Sequence, residues 1–316
     1  MKTKIVYTLV SSPSDFYLEQ ALLSVYSLRL HNPRAIVELA VDQFTAMTLV
    51  DKREEIKRYI TNLIEIVVPE ELNKVQRSRY LKTNLRKFIK GDYLFIDCDT
   101  VVCKPLDDID NMSADVAMVA DLNRDLLLDD PNTIHKCEKA GFYNMKGKPY
   151  YNSGVIYAKD TPKAHNLYKD WYNYWLRSKD NGINNDQPAL NAANVANGEI
   201  IRELDAIWNC QYKYDGYKYL TSAYIHHYFG WGIDEFYHYH HNYIFERIKE
   251  NGYVDDLVDN TIKHPYTILY SAITIHPDRA YEFYFSELLF IYMNRPKLMR
   301  IIFKIAHFIE TLCYGK

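Results

Sequence analysis

The most informative segment of the sequence is Tyr93-Leu94-Phe95-Ile96-Asp97-Cys98-Asp99-Thr100, in which four apolar residues run directly into two carboxylates. A short apolar run of this kind, preceded by Gly91, is typical of a buried strand. Asp97 and Asp99 are separated by one residue, so on an extended backbone their side chains share a face. The sequence therefore predicts a buried strand whose C-terminal end presents two carboxylates together.

Strands and helices alternate along the chain before this stretch. Apolar runs predict strands at residues 5–10, 36–41 and 63–68, and helical spacing predicts helices at residues 14–32, 51–59 and 75–89. Such alternation implies right-handed crossovers and a mostly parallel central sheet flanked by helices. Ligands bind beyond the C-terminal strand ends of such sheets, where Asp97 and Asp99 are expected. We therefore expect an α/β fold with its functional site at this edge.

The alternation weakens beyond residue 110. The stretch to Gly147 is predicted to be rich in loops, and a strand at residues 154–158 and a helix at residues 164–177 follow it. Because no linker or internal repeat separates these segments, the simplest interpretation is one domain over residues 1–280. A C-terminal helical extension is predicted over residues 281–316.

This extension has the pattern of a basic amphipathic helix. Its apolar and basic residues follow two faces, formed by Leu298, Ile302, Ile305, Ile309 and Leu312 and by Lys297, Arg300, Lys304 and His307. Such a helix either makes a peripheral contact with anionic lipid or docks on the core with a solvated charged face. The sequence leaves both interpretations open.

Composition narrows the function classes. The chain has 38 basic and 41 acidic residues, which leaves no overall positive field that would favour nucleic acid as a partner. Its five cysteines include no Cys-x-x-Cys pair, which argues against a disulfide framework and a structural zinc site. No stretch approaches the roughly 20 apolar residues of a membrane-spanning helix. We expect a cytoplasmic protein without a nucleic-acid partner.

Two carboxylates at a strand end can bind one divalent cation, and an all-oxygen site of this kind favours Mn²⁺ or Mg²⁺. A bound cation can neutralise the charge that develops on a leaving diphosphate. Two alternatives exist. The aspartates could be solvated turn residues, or residues 95–101 could be the signature of a haloacid-dehalogenase-type phosphatase, which they also resemble. That phosphatase would need a downstream acidic pair, for which Asp255-Asp256 is a loose candidate.

Together with four further segments, the Asp-x-Asp stretch resembles glycosyltransferase family 8 over roughly residues 4–232. The segments occur in the family's order and are Arg79, Asn152-Ser153-Gly154-Val155, Asn185-Asp186-Gln187-Pro188-Ala189-Leu190-Asn191 and His227-Tyr228-Phe229-Gly230. Family members are retaining transferases of the GT-A, or nucleotide-diphospho-sugar transferase, fold. The chain departs from the family after Gly230, where Trp231-Gly232 replaces a Lys-Pro-Trp segment whose lysine contacts the diphosphate.

The resemblance implies a hexosyltransferase that uses a nucleotide-sugar donor, with UDP-hexose favoured, and a hydroxyl acceptor. A glycan or lipid-linked glycan is the expected acceptor, in surface glycan or polysaccharide synthesis. The implied metal ligands are Asp97, Asp99 and His227, with His226 as an adjacent alternative to the histidine. The implied donor-binding residues are Thr8, Arg79, Asp97, Cys98, Asp99, Asn152, Ser153, Gly154 and Gly230. Asp186 is implied to bind donor-sugar hydroxyls, and Gln187 to lie near the reacting anomeric carbon.

The residues themselves leave some of these roles open. Asn152 and Ser153 could bind sugar hydroxyls or form a turn before a strand. Asp186 could instead cap the following helix. Because no nucleophile is obvious, we expect same-face attack, with the metal and Arg79 stabilising the diphosphate. A non-catalytic relative that binds a sugar nucleotide is the remaining alternative.

Overall fold

The computed structural model describes residues 1–211, 214–219, 222–228 and 238–263, together with residues 297, 298, 301, 304, 305, 308 and 312. The strands are β1 Lys4–Leu9, β2 Val37–Asp42, β3 Asn62–Ile66, β4 Tyr93–Ile96, β5 Thr100–Val102, β6 Val116–Ala120, β7 Tyr151–Ala158, β8 Ile201–Glu203 and β9 Ile225–His227. The α-helices are α1 Tyr17–His31, α2 Gln43–Met47, α3 Lys74–Thr83, α4 Leu85–Phe88, α5 Pro131–Lys139, α6 Pro162–Asp180, α7 Gln187–Ala196, α8 His238–Asn251 and α9 Asp256–Lys263. Short 3₁₀ helices span Asp51–Arg58, Asp107–Asn111, Asp121–Asn123, Ala206–Trp208 and Asp215–Tyr219.

Seven strands form the central sheet in the order β3-β2-β1-β4-β7-β6-β8. Pairs β3/β2, β2/β1, β1/β4 and β6/β8 are parallel, whereas β7 runs antiparallel to both of its neighbours. The predicted α/β class with a mostly parallel sheet is therefore confirmed. Strands β5 and β9 form a separate two-stranded sheet, in which Thr100 pairs with His227.

Buried apolar residues cover both faces of the central sheet. One cluster joins β1 and β2 to α1, and the other joins β4 and β7 to α6 and α7. Trp171 and Trp175 are fully buried in the second cluster. They lie four residues apart on α6, so both face the sheet. Burial of this kind is the main favourable contribution to folding and holds the strand ends in fixed positions.

Several predicted elements need correction. The region between residues 110 and 147, predicted to be loop-rich, contains β6 and α5. Strand β6 is a run of five buried apolar residues, and α5 begins after Asp130, whose carboxylate accepts a hydrogen bond from the Thr133 backbone N–H. Asp130 followed by a proline is a helix-start signal that the sequence analysis missed.

Two predicted helices also differ from the structure. Residues 51–58 form a 3₁₀ helix rather than an α-helix. The basic helix predicted at residues 75–89 is divided into α3 and α4 at Asn84, whose side-chain amide donates a hydrogen bond to the carbonyl of Tyr80. Asparagine side chains compete in this way with the backbone hydrogen bonds of a helix.

The boundary predicted near residue 280 lies outside the described residues. Farther along the extension, the described positions are helical, and their apolar side chains Leu298, Ile301, Ile305, Phe308 and Leu312 are exposed. Ile302, Ile309, Arg300 and His307 of the predicted faces lie outside the described residues. Within the part of the chain that the structure describes, no helix is long and apolar enough to cross a membrane.

Candidate active site

The two aspartates lie in the turn between β4 and β5. The backbone N–H of Asp97 donates to the carbonyl of Gly154 on β7, at 2.8 Å. The Thr100 hydroxyl donates to the carbonyl of Asp97 at 2.8 Å, and the Cys98 thiol donates to the carbonyl of Thr8 at 3.3 Å. These bonds tie the turn to β1 and β7, so the carboxylates project from a rigid sheet edge.

His227 reaches the same point from β9. Its Nε2 lies 3.3 Å from Asp99 Oδ1, and its Nδ1 lies 3.0 Å from Asn209 Oδ1. A proton on Nδ1 can be donated to Asn209, which turns the lone pair of Nε2 toward the aspartates. One ligand atom from each of Asp97, Asp99 and His227 lies within 4.8 Å of the others. An outer hydrogen bond of this kind orients histidine ligands in many metal sites.

His226 has a different environment. Consecutive strand residues point to opposite faces, and His226 Nδ1 accordingly lies 3.4 Å from the Cys103 sulfur. The geometry brings His227, rather than His226, to the two aspartates.

Lys82 is a site residue that the sequence analysis missed. It is only 2 % exposed, and its ammonium lies 3.0 Å from both carboxylate oxygens of Asp97. The ammonium also lies 4.9 Å from the centre of the Phe95 ring. Lys82 follows Arg79 by three residues, which places both side chains on one face of α3. That spacing in the predicted basic helix was the signal that could have identified it.

The two aspartates carry opposite pKa shifts. Burial raises the pKa of Asp97, Lys82 opposes that rise, and the negative charge of Asp99 adds to it. Burial also disfavours ionisation of Asp99, but the neighbouring His227 outweighs this effect and lowers the pKa of Asp99. In such a pair, with His227 and the Lys82 ammonium nearby, a metal ion could take the place of the ammonium beside Asp97.

Asp186 is held by an ion pair instead of capping a helix. Its Oδ1 lies 3.0 Å from Arg79 Nε, and its Oδ2 accepts a hydrogen bond from Ser153 at 3.3 Å. Although burial raises the pKa of Asp186, the positive charges of Arg79 and Lys82 lower it overall. Asp186 precedes α7 but makes no side-chain capping bond, so the capping interpretation is wrong.

Two tryptophans position the segment that carries Asp186. The indole N–H of Trp171 donates to the Asp186 carbonyl at 2.9 Å, and that of Trp175 donates to the Asn184 carbonyl at 3.1 Å. Helix α6 therefore fixes the backbone on which Asp186 and Gln187 are presented.

Asn152, Ser153 and Gly154 lie inside β7, rather than in a turn before it. Asn152 Oδ1 accepts hydrogen bonds from the Gly154 N–H and the Asn209 amide, both at 2.9 Å. A Cβ added at Gly154 would lie 2.3 Å from His227 Cε1. Only glycine therefore allows β7 and the histidine ring to approach this closely.

Asp121, directly after β6, is a second site residue that the sequence analysis missed. Its carboxylate accepts a hydrogen bond from the Asn152 amide at 3.0 Å, and a second bond links it to Gln187. Burial raises the pKa of Asp121, and these amide donors oppose the rise. The next two residues, Leu122 and Asn123, have φ angles of 59° and 52°, which non-glycine residues rarely adopt and which occur often at functional sites.

A cavity of about 230 Å³ opens beside the aspartates, and we call it the donor cavity. It is lined by Thr8, Leu9, Val10, Tyr17, Gln20, Lys74, Val75, Ser78, Arg79, Asp97, Cys98 and Asp99. Within the described residues, the amide nitrogen of Gln20 is buried without a hydrogen-bond partner. The cavity thus combines two cations, an unused amide donor and the carboxylates of Asp97 and Asp99. Gly230, another predicted donor-binding residue, lies outside the described residues.

A divalent cation fits the residues around Asp97 and Asp99. Two carboxylates and one imidazole form a mixed oxygen and nitrogen donor set, which suits Mn²⁺ and admits Mg²⁺. The set supplies three protein ligands to the metal. The side of the metal toward the donor cavity would stay available for coordination by a bound molecule. The predicted acidic pair of a phosphatase is absent from this place: Asp255 instead pairs with Arg247 and Asn251, and Asp256 begins α9.

Comparison with known proteins identifies relatives. The sequence profile of glycosyl transferase family 8 matches residues 8–232. No curated protein matches the chain in sequence. A structure of the galactosyltransferase LgtC with donor and acceptor sugar analogues is similar at a TM-score of 0.52 and 16% identity, over 79% of this chain and 95% of LgtC.

An active-site mutant of LgtC gives a TM-score of 0.52 at 15% identity, over 78% of this chain and 94% of the mutant chain. Mouse xyloside xylosyltransferase 1 in its apo form gives 0.47 at 12% identity, over 71% of this chain and 97% of that enzyme. The similarity to LgtC shows a shared fold.

Proposed function

This chain belongs to glycosyl transferase family 8 and is a glycosyltransferase of the GT-A fold, and on that premise we propose that it moves a hexose from UDP to a hydroxyl acceptor with retention of configuration. The single observation that supports metal dependence is the approach of Asp97, Asp99 and His227 to one point. A divalent cation bound there would neutralise the charge that develops on the leaving diphosphate.

The cations of α3 are suited to bind the diphosphate. Lys74 and Arg79 line the donor cavity, and Arg79 also contacts Asp186. Although burial lowers the pKa of the Arg79 guanidinium, Asp186 and the two metal-site aspartates raise it overall, so the group stays charged. Charged donors already held in place cost little reorganisation when negative charge develops nearby. In this chain Arg79 and Lys74 would bind the phosphates in place of the family's late lysine.

The polar groups of β7 and α7 would bind the donor sugar. Asn152, Ser153, Asp186 and Gln187 surround the end of β7 with short donors and acceptors, which sugar hydroxyls require. Asp186 is ion-paired with Arg79, a state that weakens it as a nucleophile. We therefore assign same-face attack, in which the leaving phosphate accepts the acceptor proton and Gln187 steadies positive charge on the sugar ring.

Asp121 is assigned to the acceptor side of the reaction. It lies beside Gln187 and is held by neutral amides, and among the described residues no cation donates a hydrogen bond to it. A carboxylate in this setting can accept a hydrogen bond from an uncharged hydroxyl and orient it. Orientation of this kind can supply a large part of the rate acceleration of a two-substrate reaction.

The helical extension supports a glycan or lipid-linked glycan as acceptor, on the inner face of the membrane. Leu298, Ile301, Ile305, Phe308 and Leu312 recur at alternating three- and four-residue spacing, and all are exposed. Lys297 and Lys304 are exposed beside them. An apolar stripe bordered by lysines is suited to anionic lipid. The free thiols of Cys98, Cys103, Cys137 and Cys210 agree with a cytoplasmic location.

Hydrolysis of nucleotide sugars tests the proposal. We would assay a donor panel in excess Mn²⁺ with the parent protein and with Asp97→Ala, Asp99→Ala and His227→Ala, and use His226→Ala as a matched buried-histidine control. UDP release from a UDP-hexose should require the metal and the three ligands but tolerate the control. Release of phosphate from simple esters, or donor binding without turnover, would contradict the proposal. An inverted anomer in the transfer product would overturn retention.

A further inference from the structure

A second and larger cavity lies beside α1, whose Glu19 lines it and whose Gln20 lines the donor cavity. Its volume is about 480 Å³, within the range typical of small-molecule sites. Among the described residues it is lined by Pro13, Leu18, Glu19, Leu22, Thr48, Val50, Asp51, Lys52, Arg53, Ile56, Ile248, Lys249 and Gly252. We call it the α1 cavity. None of the residues assigned to metal, donor or acceptor lines it.

Glu19 is the feature of this cavity that calls for a ligand. The residue is only 3 % exposed, and within the described residues its Oε2 has no hydrogen-bond partner. A buried carboxylate oxygen without a donor is costly, so such groups are normally paired. Burial raises the pKa of Glu19, and the more distant charges of Lys249 and Arg53 oppose the rise without bonding to it. Its Oε2 therefore lacks a donor, although the carboxylate also accepts a hydrogen bond from the Glu19 backbone N–H.

The other residues that line the cavity indicate which kind of ligand could supply a hydrogen-bond donor to Glu19. The wall is largely aliphatic, with Leu18, Leu22, Val50, Ile56 and Ile248 around Glu19. Three cations at the cavity, Lys52, Arg53 and Lys249, outnumber the carboxylates Glu19 and Asp51. An additional ammonium would be repelled by this excess of positive charge, whereas a hydroxyl adds no charge. An uncharged hydroxyl on an aliphatic body matches both features.

The rim of the α1 cavity has a constrained backbone. Asp51 has a φ of 50°, in the left-handed region that non-glycine residues seldom occupy. Gly252, at φ 83°, lies so close to Lys52 that an added Cβ would be 2.7 Å from the Lys52 Cβ. Asp51 is therefore a strained position, and such positions persist where the surrounding structure holds them and are frequent at ligand sites.

The geometry points to the α1 cavity as a binding site for a small aliphatic alcohol, whose hydroxyl donates to Glu19 while its apolar body contacts the leucine and isoleucine wall. No covalent step is involved. The hydroxyl would donate the hydrogen bond that Glu19 Oε2 lacks. The aliphatic body would fill the cavity and make van der Waals contacts with its wall.

Binding of an alcohol in the α1 cavity should alter nucleotide binding in the donor cavity through residues 11–16. This consequence rests on the proposed function of the donor cavity. From the α1 cavity, Arg53 donates to the Ser11 hydroxyl at 3.0 Å, and Lys249 donates to the Asp15 carbonyl at 2.9 Å. The Asp15 carboxylate pairs in turn with Lys74 at the donor cavity. Glu19 and Gln20 are adjacent on α1 and line the two cavities separately.

The binding test uses cyclohexanol, methoxycyclohexane and cyclohexylammonium as probes. With methyl-labelled protein, NMR shifts of Leu18, Leu22, Ile56 and Ile248 report the location of binding. Cyclohexanol should bind about tenfold more tightly than the ether, which lacks the donor, and more tightly than the ammonium. Equal affinity for the ether, tighter binding of the ammonium, or shifts only at other methyls would overturn the proposal.

Glu19→Leu is the matched variant, because it replaces an unpaired carboxylate with an aliphatic chain of similar size and should fold without loss of stability. In it, the preference for the alcohol over the ether should disappear, and a retained preference would overturn the role of Glu19.

Saturating cyclohexanol should change the UDP affinity of the parent about fivefold or more. An unchanged UDP affinity would overturn the coupling. A chain that binds cyclohexanol but never UDP would instead overturn the proposed donor function and leave the alcohol site standing.

Discussion

Strands β4 and β6 both end in a buried apolar run followed by an aspartate, yet the two aspartates have different surroundings. Asp97, after β4, contacts the ammonium of Lys82 and lies beside Asp99 and His227. Asp121, after β6, contacts the neutral amides of Asn152 and Gln187. Burial raises the pKa of both, but within the part of the chain that the structure describes only Asp97 has a formal positive charge in contact with it.

This difference separates two kinds of chemistry along one sheet edge. On the proposed function, the cations and carboxylates of the β4 end would bind a metal and a diphosphate, whereas the neutral groups of the β6 end would bind hydroxyls. Asn152 joins the two ends, because it contacts Asp121 on one side and Asn209, the partner of His227, on the other. Changes at the β4 end should therefore affect metal and nucleotide, and changes at the β6 end should affect sugar and acceptor.

The largest expected effect is at the β4 end. Asp99→Asn keeps the shape of the side chain but removes a charged ligand, so metal-dependent UDP release should fall about a thousandfold. The measurement is kcat/KM for donor hydrolysis in excess Mn²⁺. Asp108→Asn, an exposed change near the same small sheet, is the control. Activity within tenfold of the parent would contradict a metal role for Asp99.

Gly154→Ala tests the link between β7 and the histidine. The added methyl would overlap the imidazole of His227, so the ring must move away from Asp99. Displacing a ligand in this way should weaken Mn²⁺ binding about 10- to 100-fold, measured by calorimetry. Gly182→Ala, where an added Cβ meets nothing within 4 Å but the φ of 79° strains an alanine, is the control for a destabilising glycine change away from the site. Unchanged Mn²⁺ affinity would show that metal binding does not depend on the close approach of Gly154 to the His227 ring.

The β4 end was the part that sequence could predict, since its signals are local. An apolar run ending in Asp-x-Asp identifies the strand and its carboxylates together, and the α/β class follows from the alternation around it. The β6 end has the same local pattern in Val116 to Asp121, but no second carboxylate marks it. Its role emerges only when β7 places Asn152 beside Asp121, a contact between residues 31 positions apart.

Lys82 was missed for a different reason. Its helix was predicted and its charge was evident, but a lysine in a basic helix is usually solvated. Burial of its ammonium against Asp97 depends on the packing of α3 onto the sheet, which no local pattern contains. The antiparallel insertion of β7 was unpredictable in the same way, because strand direction depends on the connections over the whole chain.

Lys82 provides a smaller test of the charge balance at the β4 end. Lys82→Met leaves Asp97 without its cation beside Asp99, and should lower the free energy of unfolding by about 2 kcal/mol without metal. Excess Mn²⁺ should recover much of this loss, because the metal replaces the missing charge. Denaturant unfolding with and without Mn²⁺ measures both the loss of stability and its recovery by the metal. Lys87→Met, on the exposed side of α4, is the control. If Lys82→Met lost as much stability with Mn²⁺ as without it, the metal would not replace the charge of Lys82.

The smallest expected effect concerns Asp121 and depends on pH. Because burial raises the folded-state pKa of Asp121 above its unfolded value, the folded chain binds the proton more tightly. Its contribution to stability is therefore present at low pH and is lost as pH rises through the folded pKa. Asp121→Asn removes this titration.

The variant should thus be more stable than the parent at pH 8, by about 1 kcal/mol, and this advantage should shrink as pH falls through the folded pKa and be smallest below the unfolded value. Unfolding in denaturant at pH 8 and pH 4 measures the difference, with the exposed Asp129→Asn as control. If the β6 end instead held its carboxylate as the β4 end does, through a cation, the sign would reverse and the variant would be less stable at pH 8. The same variant should raise KM for the acceptor more than KM for the donor, because Asp121 belongs to the neutral end of the site.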